Sequence, residues 1–161
     1  MKRKLELKDI AGYLPYGLMG IFRNMNEPVF YTTGIKSFNG RLEVTINEDT
    51  KPILRPLSDL YKTITHNGKE IVPIVELAKI AIGSNKTSFN TGDEVVCVEG
   101  FVFFYHKNGF NIRLVLGESE VSVHNQYQLF DYLNELKIDY RGLIDAGLAV
   151  SVYDLENNPY K

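Results

Sequence analysis

The sequence predicts an α+β fold: antiparallel β-hairpins forming one or two small sheets, with a C-terminal helix and short helices packed on them. Three Asn-Gly dipeptides, at residues 39–40, 67–68 and 108–109, each stand between two segments of strand character. Asn-Gly accepts a positive φ at both central positions of a type I′ turn, which joins two paired strands readily. Elsewhere apolar residues recur at helical spacing, and these stretches predict the helices.

The composition indicates a single domain, 1–161. A length of 161 residues and a hydrophobic content of 44% are typical of one chain that buries its own core. The longest polar stretch, residues 83–94, is predicted to be a mobile loop and is the one candidate for a subdomain boundary. The single cysteine, Cys97, cannot form an internal disulfide, and its apolar neighbours predict a buried, unreactive thiol.

The charge pattern predicts a cytoplasmic protein that does not bind a membrane. Charged residues interrupt the apolar residues of the basic N-terminus, so we expect neither a signal peptide nor a membrane span. The formal net charge of −2 gives no support to non-specific binding of duplex nucleic acid, which needs a basic surface.

Hydrophobic spacing and turn residues predict the elements along the chain. Helices are expected at residues 5–14, 74–82, 126 onward and 140–146. Strands are expected at residues 18–23, 30–38, 41–46, 63–66, 69–72, 101–107, 110–116, 120–123 and 148–152. A Pro-bounded segment, residues 51–60, is expected to be extended and then to form a short helical turn.

Two helices carry recognisable end signals. Pro73 suits the first position of a helix, and Gly83 suits the residue after its end. Asn125 is expected to cap the helix that starts at Gln126, with Gln128 completing a capping box.

The Asn-Gly turns imply a register for the first and third hairpins. In the first, residue 38 faces residue 41, which places Lys36 opposite Glu43 on a solvent-facing side. In the third, residue 107 faces residue 110. One strongly apolar face then carries Phe101, Phe103, Tyr105, Ile112, Leu114 and Leu116.

The sequence shows no recognisable set of catalytic or metal-binding residues. None of the three histidines has a second His, Cys or carboxylate at a metal-binding spacing. A cluster of His106, His124 and Cys97 would need neighbouring strands, and three unrelated histidines are the simpler interpretation. Neither a Gly-rich phosphate loop nor a Gly-x-Ser-x-Gly turn is present. We therefore expect no enzyme, no metal site and no cofactor.

Binding is the remaining class of function, and five residues are candidates for contact with a partner. Phe104, His106 and Arg113 share the second face of the third hairpin. An aromatic side chain beside an arginine is typical of interface centres, and it can also stack on a single-stranded base. The alternative is that a helix covers this face and buries Phe104. Lys51 and Arg55 flank the Pro-bounded segment. They are expected either to be solvated charges or to contact an acidic partner or RNA.

Three segments resemble a family of small proteins from phages and prophages of Bacteroidetes. They are LKDIAGYLPYGL at residues 7–18, KPILRPLSDL at residues 51–60 and GLIDAGLAV at residues 142–150. The resemblance covers less than half of the chain, and the middle, residues 84–123, departs from it. The family has no established activity, so no functional residue is carried over.

The resemblance implies a phage- or prophage-derived binding protein in the cytoplasm of a bacterial host. We expect it to bind a host protein and to inhibit a defence effector such as a CRISPR-associated nuclease. The divergent third hairpin is the expected contact surface, because the variable part of a rigid fold usually makes the contacts. Two alternatives are an accessory protein of phage replication that binds nucleic acid, with RNA as partner, and a protein that sequesters a nucleotide signal.

Overall fold

The computed structural model describes residues 3–22, 27–31, 33–38, 41–47 and 49–161, and of residues 35–38 and 41–44 only the backbone. It confirms the α+β fold. The described strands are β1 (Met19–Phe22), β2 (Pro28–Phe30), β3 (Thr33–Phe38), β4 (Arg41–Ile46), β5 (Thr50–Leu54), β6 (Ile64–His66), β7 (Lys69–Ile71), β8 (Thr87–Asn90), β9 (Val95–Val98), β10 (Phe101–His106), β11 (Gly109–Leu114), β12 (Val121–Ser122) and β13 (Val150–Ser151). The described helices are α1 (Leu7–Ile10), α2 (Pro73–Ile82), α3 (Gln126–Glu135) and the 3₁₀ helices Leu14–Tyr16, Leu57–Tyr61 and Val152–Asp154.

The chain forms two compact units. One unit contains residues 1–57 and 134–159, and the other contains residues 58–133 and 160–161. The polar stretch 83–94 lies entirely within the second unit. Within the described ranges, no helix combines the length and the apolar character that crossing a bilayer requires.

The first unit is built on a four-stranded sheet in the order β13-β5-β1-β2. Strand β1 pairs antiparallel with β2 and β5, whereas β13 runs parallel to β5 with Val150 opposite Ile53. The Tyr13 hydroxyl donates a hydrogen bond of 2.9 Å to the carbonyl of Ile138. The buried side chains that pack together are Ile10, Tyr13, Leu18, Tyr31, Leu54, Leu143 and Ala149.

The first predicted hairpin is present, with a shorter first strand. The register of β3 and β4 has Phe38 opposite Arg41 and Lys36 opposite Glu43, as predicted. The turn at Asn39-Gly40 lies outside the described residues. Phe30 belongs to the separate strand β2, which pairs with β1, so the predicted strand 30–38 is wrong at its start.

The predicted helix at residues 5–14 is also too long. Only α1 is α-helical, and the 3₁₀ helix Leu14–Tyr16 follows it. Gly12 lowers helix propensity, and Pro15 has no N–H to continue the hydrogen-bond pattern. The apolar residues therefore have helical spacing because α1 and the 3₁₀ helix are two short helices that pack on the same core.

The predicted helix at residues 140–146 is wrong. This segment forms consecutive turns, with Gly142 in the left-handed region at φ 68°. The carboxylate of Asp139 accepts hydrogen bonds from the backbone N–H groups of Leu143 (2.9 Å) and Ile144 (2.7 Å). A left-handed residue interrupts helix geometry, so apolar spacing alone misidentified this segment.

The strand predicted at residues 148–152 is confirmed only in its centre. Strand β13 comprises two residues, after which the chain enters the 3₁₀ helix Val152–Asp154. The hydroxyl oxygen of Ser151 accepts a hydrogen bond of 3.2 Å from the N–H of Tyr153. This cap ends the strand early.

The second unit is built on a five-stranded antiparallel sheet in the order β12-β11-β10-β9-β8. Helix α2 contacts β9 and β8, and Phe130 of α3 packs on Phe110 of β11 with ring centroids 5.6 Å apart. The fully buried side chains on the helix-covered face of the sheet are Val96, Val98, Phe103 and Phe110. The fully buried side chains of the two helices include Ile74, Leu77, Ala78, Leu129 and Leu133.

Residues at helix ends and in one turn correctly predicted three features of this unit. Helix α2 begins at Pro73 and ends at Gly83, which has φ 74°, as predicted. The hairpin of β6 and β7 turns through Asn67 (φ 51°) and Gly68 (φ 73°), which is the expected type I′ geometry. Helix α3 begins at the predicted residue, Gln126.

The predicted loop at residues 83–94 contains a strand. Strand β8 pairs along its whole length with β9. Thr87 and Phe89 are half-buried while Ser88 and Asn90 are exposed, so the side chains alternate as an amphipathic strand requires. Pairing with β9 supplies the backbone hydrogen bonds, which a polar composition does not reveal.

Candidate binding site at the long hairpin

The hairpin of β10 and β11 has a different register from the one predicted. His106 faces Gly109 and Tyr105 faces Phe110, instead of residue 107 facing residue 110. The turn uses Lys107 (φ 50°) and Asn108 (φ 61°) as its central residues. Both positions of a type I′ turn need a positive φ, and here a lysine supplies the first.

The packing of Phe110 gives the physical reason for this register. Its ring stacks on Phe103 with centroids 5.6 Å apart and contacts Tyr105 at 5.0 Å. Its N–H donates a hydrogen bond of 3.0 Å to Oε1 of Gln126, whose Nε2 donates to the Phe110 carbonyl. Moving Phe110 toward the turn would remove these contacts and expose the ring.

The two faces of the hairpin keep the predicted composition, because the register moves by an even number of residues. Phe104 lies opposite Asn111, and Val102 lies opposite Arg113, so Phe104, His106 and Arg113 share the second face. Leu116 was predicted on the apolar face, but β11 ends at Leu114 and Leu116 is fully exposed.

The second face is partly open. Phe104 and Arg113 are half-buried, and His106 is exposed. Helix α3 packs on the other face through Phe130, so the alternative in which a helix buries Phe104 is not the arrangement observed.

A concave site of about 320 Å³ lies on this face. We name it the hairpin cleft, and its lining residues are Tyr61, Asp93, Glu94, Val95, Phe104, Tyr105, His106, Arg113 and Glu120. Three of the five candidate contact residues from the sequence therefore line one cavity.

The polar groups of the hairpin cleft make a small number of contacts. His106 Nδ1 lies 3.5 Å from Oε2 of Glu120, and these side chains are 49% and 46% exposed. Arg113 Nη1 donates a hydrogen bond of 3.4 Å to the carbonyl of Gly117. Asp93 Oδ2 accepts a hydrogen bond of 2.6 Å from Asn90 Nδ2.

Two aromatic side chains form apolar walls. The Phe104 ring lies 6.5 Å from the His106 ring, and Tyr61 is half-buried at the same cavity. Burial raises the pKa of Tyr61 to about 12, and the negative charges of Glu94 and ionised Tyr105 act in the same direction. Tyr61 therefore presents a neutral phenol across the physiological range.

Sequence reasoning missed Tyr61, Asp93, Glu94 and Glu120. Glu120 precedes β12, which lies within the predicted strand 120–123 and pairs with β11. The closeness of this strand to the hairpin in the sequence was the one available signal for Glu120. Tyr61 ends a 3₁₀ helix, and Asp93 with Glu94 precedes β9. Only the tertiary fold brings these residues to the hairpin.

Lys51 and Arg55 are not part of the hairpin cleft and belong to the other compact unit. Lys51 is exposed on β5. Arg55 is only 3% exposed, so the expectation of a solvated charge was wrong. Its N–H donates to the carbonyl of Lys137 and its carbonyl accepts from the N–H of Asp139, both at 2.8 Å. This backbone pairing holds Arg55 inside the first unit. Because Arg55 is buried, it is not a candidate for the binding surface.

The potential metal-binding side chains elsewhere in the described part of the chain were compared with the geometry of a metal site. Across the described ranges, no group of three or more His, Cys, Asp or Glu side chains is arranged to hold a metal ion. Cys97 is half-buried, not buried as predicted, and it lies opposite Val102 and Ser88 in the sheet.

A search of protein-family models, of curated proteins and of solved structures finds no match to the chain.

Proposed function

We propose that this chain is a non-enzymatic binding protein that holds a partner protein on the second face of the long hairpin. The observation that carries the proposal is the hairpin cleft, in which half-buried Phe104 and Arg113 lie beside exposed His106. Aromatic and arginine side chains in a concave, partly desolvated patch are the commonest anchors of protein interfaces. Charged groups around such anchors fix the orientation of the partner.

The polar geometry supports binding over catalysis. The pair most like a general base with its orienting carboxylate is His106 with Glu120, and their nearest side-chain atoms lie 3.5 Å apart, longer than a well-formed hydrogen bond. Both side chains stand about half in solvent, where electrostatic effects are weak. The lining residues that the structure describes include no serine, threonine or cysteine to serve as nucleophile.

If the resemblance of three segments to phage and prophage proteins reflects common origin, the partner we propose is a bacterial defence effector, such as a CRISPR-associated nuclease. In this proposal the chain occupies a surface that the effector needs. The divergent residues 84–123 contain every lining residue of the hairpin cleft except Tyr61. Surface segments that depart from a shared scaffold are where contacts with a specific partner are expected.

Plaque formation tests the proposal. The chain is expressed in a bacterial host whose CRISPR system targets an infecting phage, and plaques are counted against the same host without the chain. We expect the counts to rise toward those of a host with a non-targeting guide. Unchanged counts with the chain present at normal levels would overturn the proposal.

Binding of nucleic acid receives less support. Asp93, Glu94 and Glu120 stand beside Arg113 in the hairpin cleft and would repel a phosphate. The same carboxylates oppose a nucleotide signal. Since Arg55 is buried, Lys51 is the one sequence candidate left for phosphate contact outside the hairpin cleft. We therefore expect no mobility shift of single-stranded RNA or DNA at low salt.

A further inference from the structure

The hairpin cleft carries an excess of negative charge. Its lining contains the carboxylates of Asp93, Glu94 and Glu120 against one permanent cation, Arg113. The Glu94 side chain is exposed, and its negative charge acts on Tyr61, which lines the same cavity. The Glu94 carboxylate is therefore available to a ligand.

The other two carboxylates are only partly engaged. Asp93 uses Oδ2 toward Asn90, and Glu120 faces His106 at 3.5 Å. Each carboxylate offers about four lone-pair sites, so both retain capacity to accept hydrogen bonds. An incoming donor with several N–H groups would satisfy more of this capacity than a single ammonium.

The aromatic walls add a second requirement. Phe104 and Tyr61 are half-buried and border the same cavity as the carboxylates. The face of an aromatic ring attracts a cation, and a planar guanidinium also stacks on it. A flat, positively charged ligand can interact with both the carboxylates and the aromatic rings that line the cavity.

We infer that the hairpin cleft takes an arginine side chain of the partner protein. The guanidinium donates hydrogen bonds to the carboxylates of Glu94 and Glu120 while its plane lies against Phe104. The volume of about 320 Å³ is near the lower end of ligand sites, which suits one long side chain. This inference rests on the proposed binding function and names the chemistry that the partner presents.

An NMR titration of the full chain with short peptides tests the inference. The probes are acetyl-Gly-Arg-Gly-amide and the same peptide with citrulline, which keeps the shape of arginine and removes its charge. A third peptide carries lysine. We expect the arginine peptide to shift the amide resonances of Phe104 and Glu94, the lysine peptide to bind more weakly, and the citrulline peptide to leave them in place.

Matched variants locate the site. Glu94→Gln should weaken the arginine peptide about three- to fivefold, the contribution expected of a partly exposed ion pair. Phe104→Ala should weaken it by a similar factor. Glu118→Gln changes an exposed carboxylate outside the lining and should have no effect.

The outcomes separate this inference from the function on which it rests. Equal shifts with arginine and citrulline, equal binding of lysine, or full affinity in Glu94→Gln would overturn the arginine assignment. If plaque counts still depend on Phe104 in that case, the binding function stands and only its chemistry is wrong. If plaque counts do not respond to the chain while the arginine peptide binds, the function fails and the site remains.

Discussion

The side-chain amide of Gln126 bonds to both backbone groups of Phe110. The Phe110 N–H donates to Oε1 at 3.0 Å, and Nε2 donates to the Phe110 carbonyl. That carbonyl also accepts from the N–H of Val123 at 3.1 Å. The first residue of α3 thereby acts as a neighbouring strand would, and it fixes the helix to β11 behind the hairpin cleft.

Replacing Gln126 should destabilise the second unit. Gln126→Ala leaves the Phe110 N–H and one acceptor site of its carbonyl without their partner. Such a loss costs about 1–3 kcal/mol for buried groups, and we expect the lower half of that range because Gln126 itself is half-buried. Urea denaturation followed by circular dichroism measures the change.

Gln128→Ala is the matched control. Gln128 is exposed on the same helix and accepts one hydrogen bond, from Asn125 Nδ2 at 3.3 Å. Its removal should change the free energy of unfolding by less than about 0.5 kcal/mol. Equal losses for the two variants would contradict the role assigned to Gln126.

The observed register of the long hairpin implies that two glycines differ in their importance for stability. In the observed register Gly109 lies outside the turn centre, and a Cβ there would meet its nearest atom, Oε1 of Gln126, at 3.8 Å. Gly109→Ala should therefore leave stability nearly unchanged. Gly68 has φ 73° in the shorter hairpin, so Gly68→Ala should lower stability by about 1 kcal/mol.

Thermal denaturation of the two variants distinguishes the registers. In the register that the Asn-Gly dipeptide suggests, Gly109 would stand at a position of positive φ, and its alanine variant would lose as much stability as Gly68→Ala. An equal loss of thermal stability in the two variants would contradict a turn centred on Lys107-Asn108.

Lys137 should make stability depend on pH. It is 7% exposed, and burial lowers its pKa to about 8, opposed by Glu135 and reinforced by Arg55. Between pH 8 and 10 the unfolded chain holds this proton more often than the folded chain, so the free energy of unfolding rises with pH. The rise is at most about 1.4 kcal/mol per pH unit.

Urea denaturation of the wild type and Lys137→Met at several pH values tests this. The variant should lack the contribution of Lys137 between pH 8 and 10. The window stops at pH 10 because Tyr31 and Tyr61, with pKa values raised to about 12, lower stability above it. Parallel curves for the two proteins would contradict the assignment.

The elements that follow from local chemistry could be predicted from the sequence. Helix α2 is bounded by Pro73 and Gly83, and the turn at Asn67-Gly68 needs only two residues that tolerate positive φ. Strand β8 and the parallel pairing of β13 with β5 could not be predicted, because long-range backbone pairing decides them. The third turn was misplaced because burial of Phe110 outweighs the preference of Asn-Gly.

The candidate site was predictable in part. Alternation along β10 and β11 placed Phe104, His106 and Arg113 on one face, since a register change of an even number of residues preserves the faces. The carboxylates and Tyr61 come from segments that no spacing rule connects to the hairpin. For this reason the negative charge of the hairpin cleft could not be predicted from the sequence. This charge favours a cationic ligand over a nucleic acid.

The most direct test of the binding surface compares Phe104→Ala with Tyr127→Ala in the plaque assay. Tyr127 is an aromatic side chain 82% exposed on α3 and outside the hairpin cleft, so it controls for the loss of an aromatic ring. Both variants are first shown to unfold near the wild-type temperature. We expect that Phe104→Ala abolishes the rise in plaque counts and that Tyr127→Ala preserves it. An undiminished rise in plaque counts with Phe104→Ala would show that the hairpin cleft is not the binding surface.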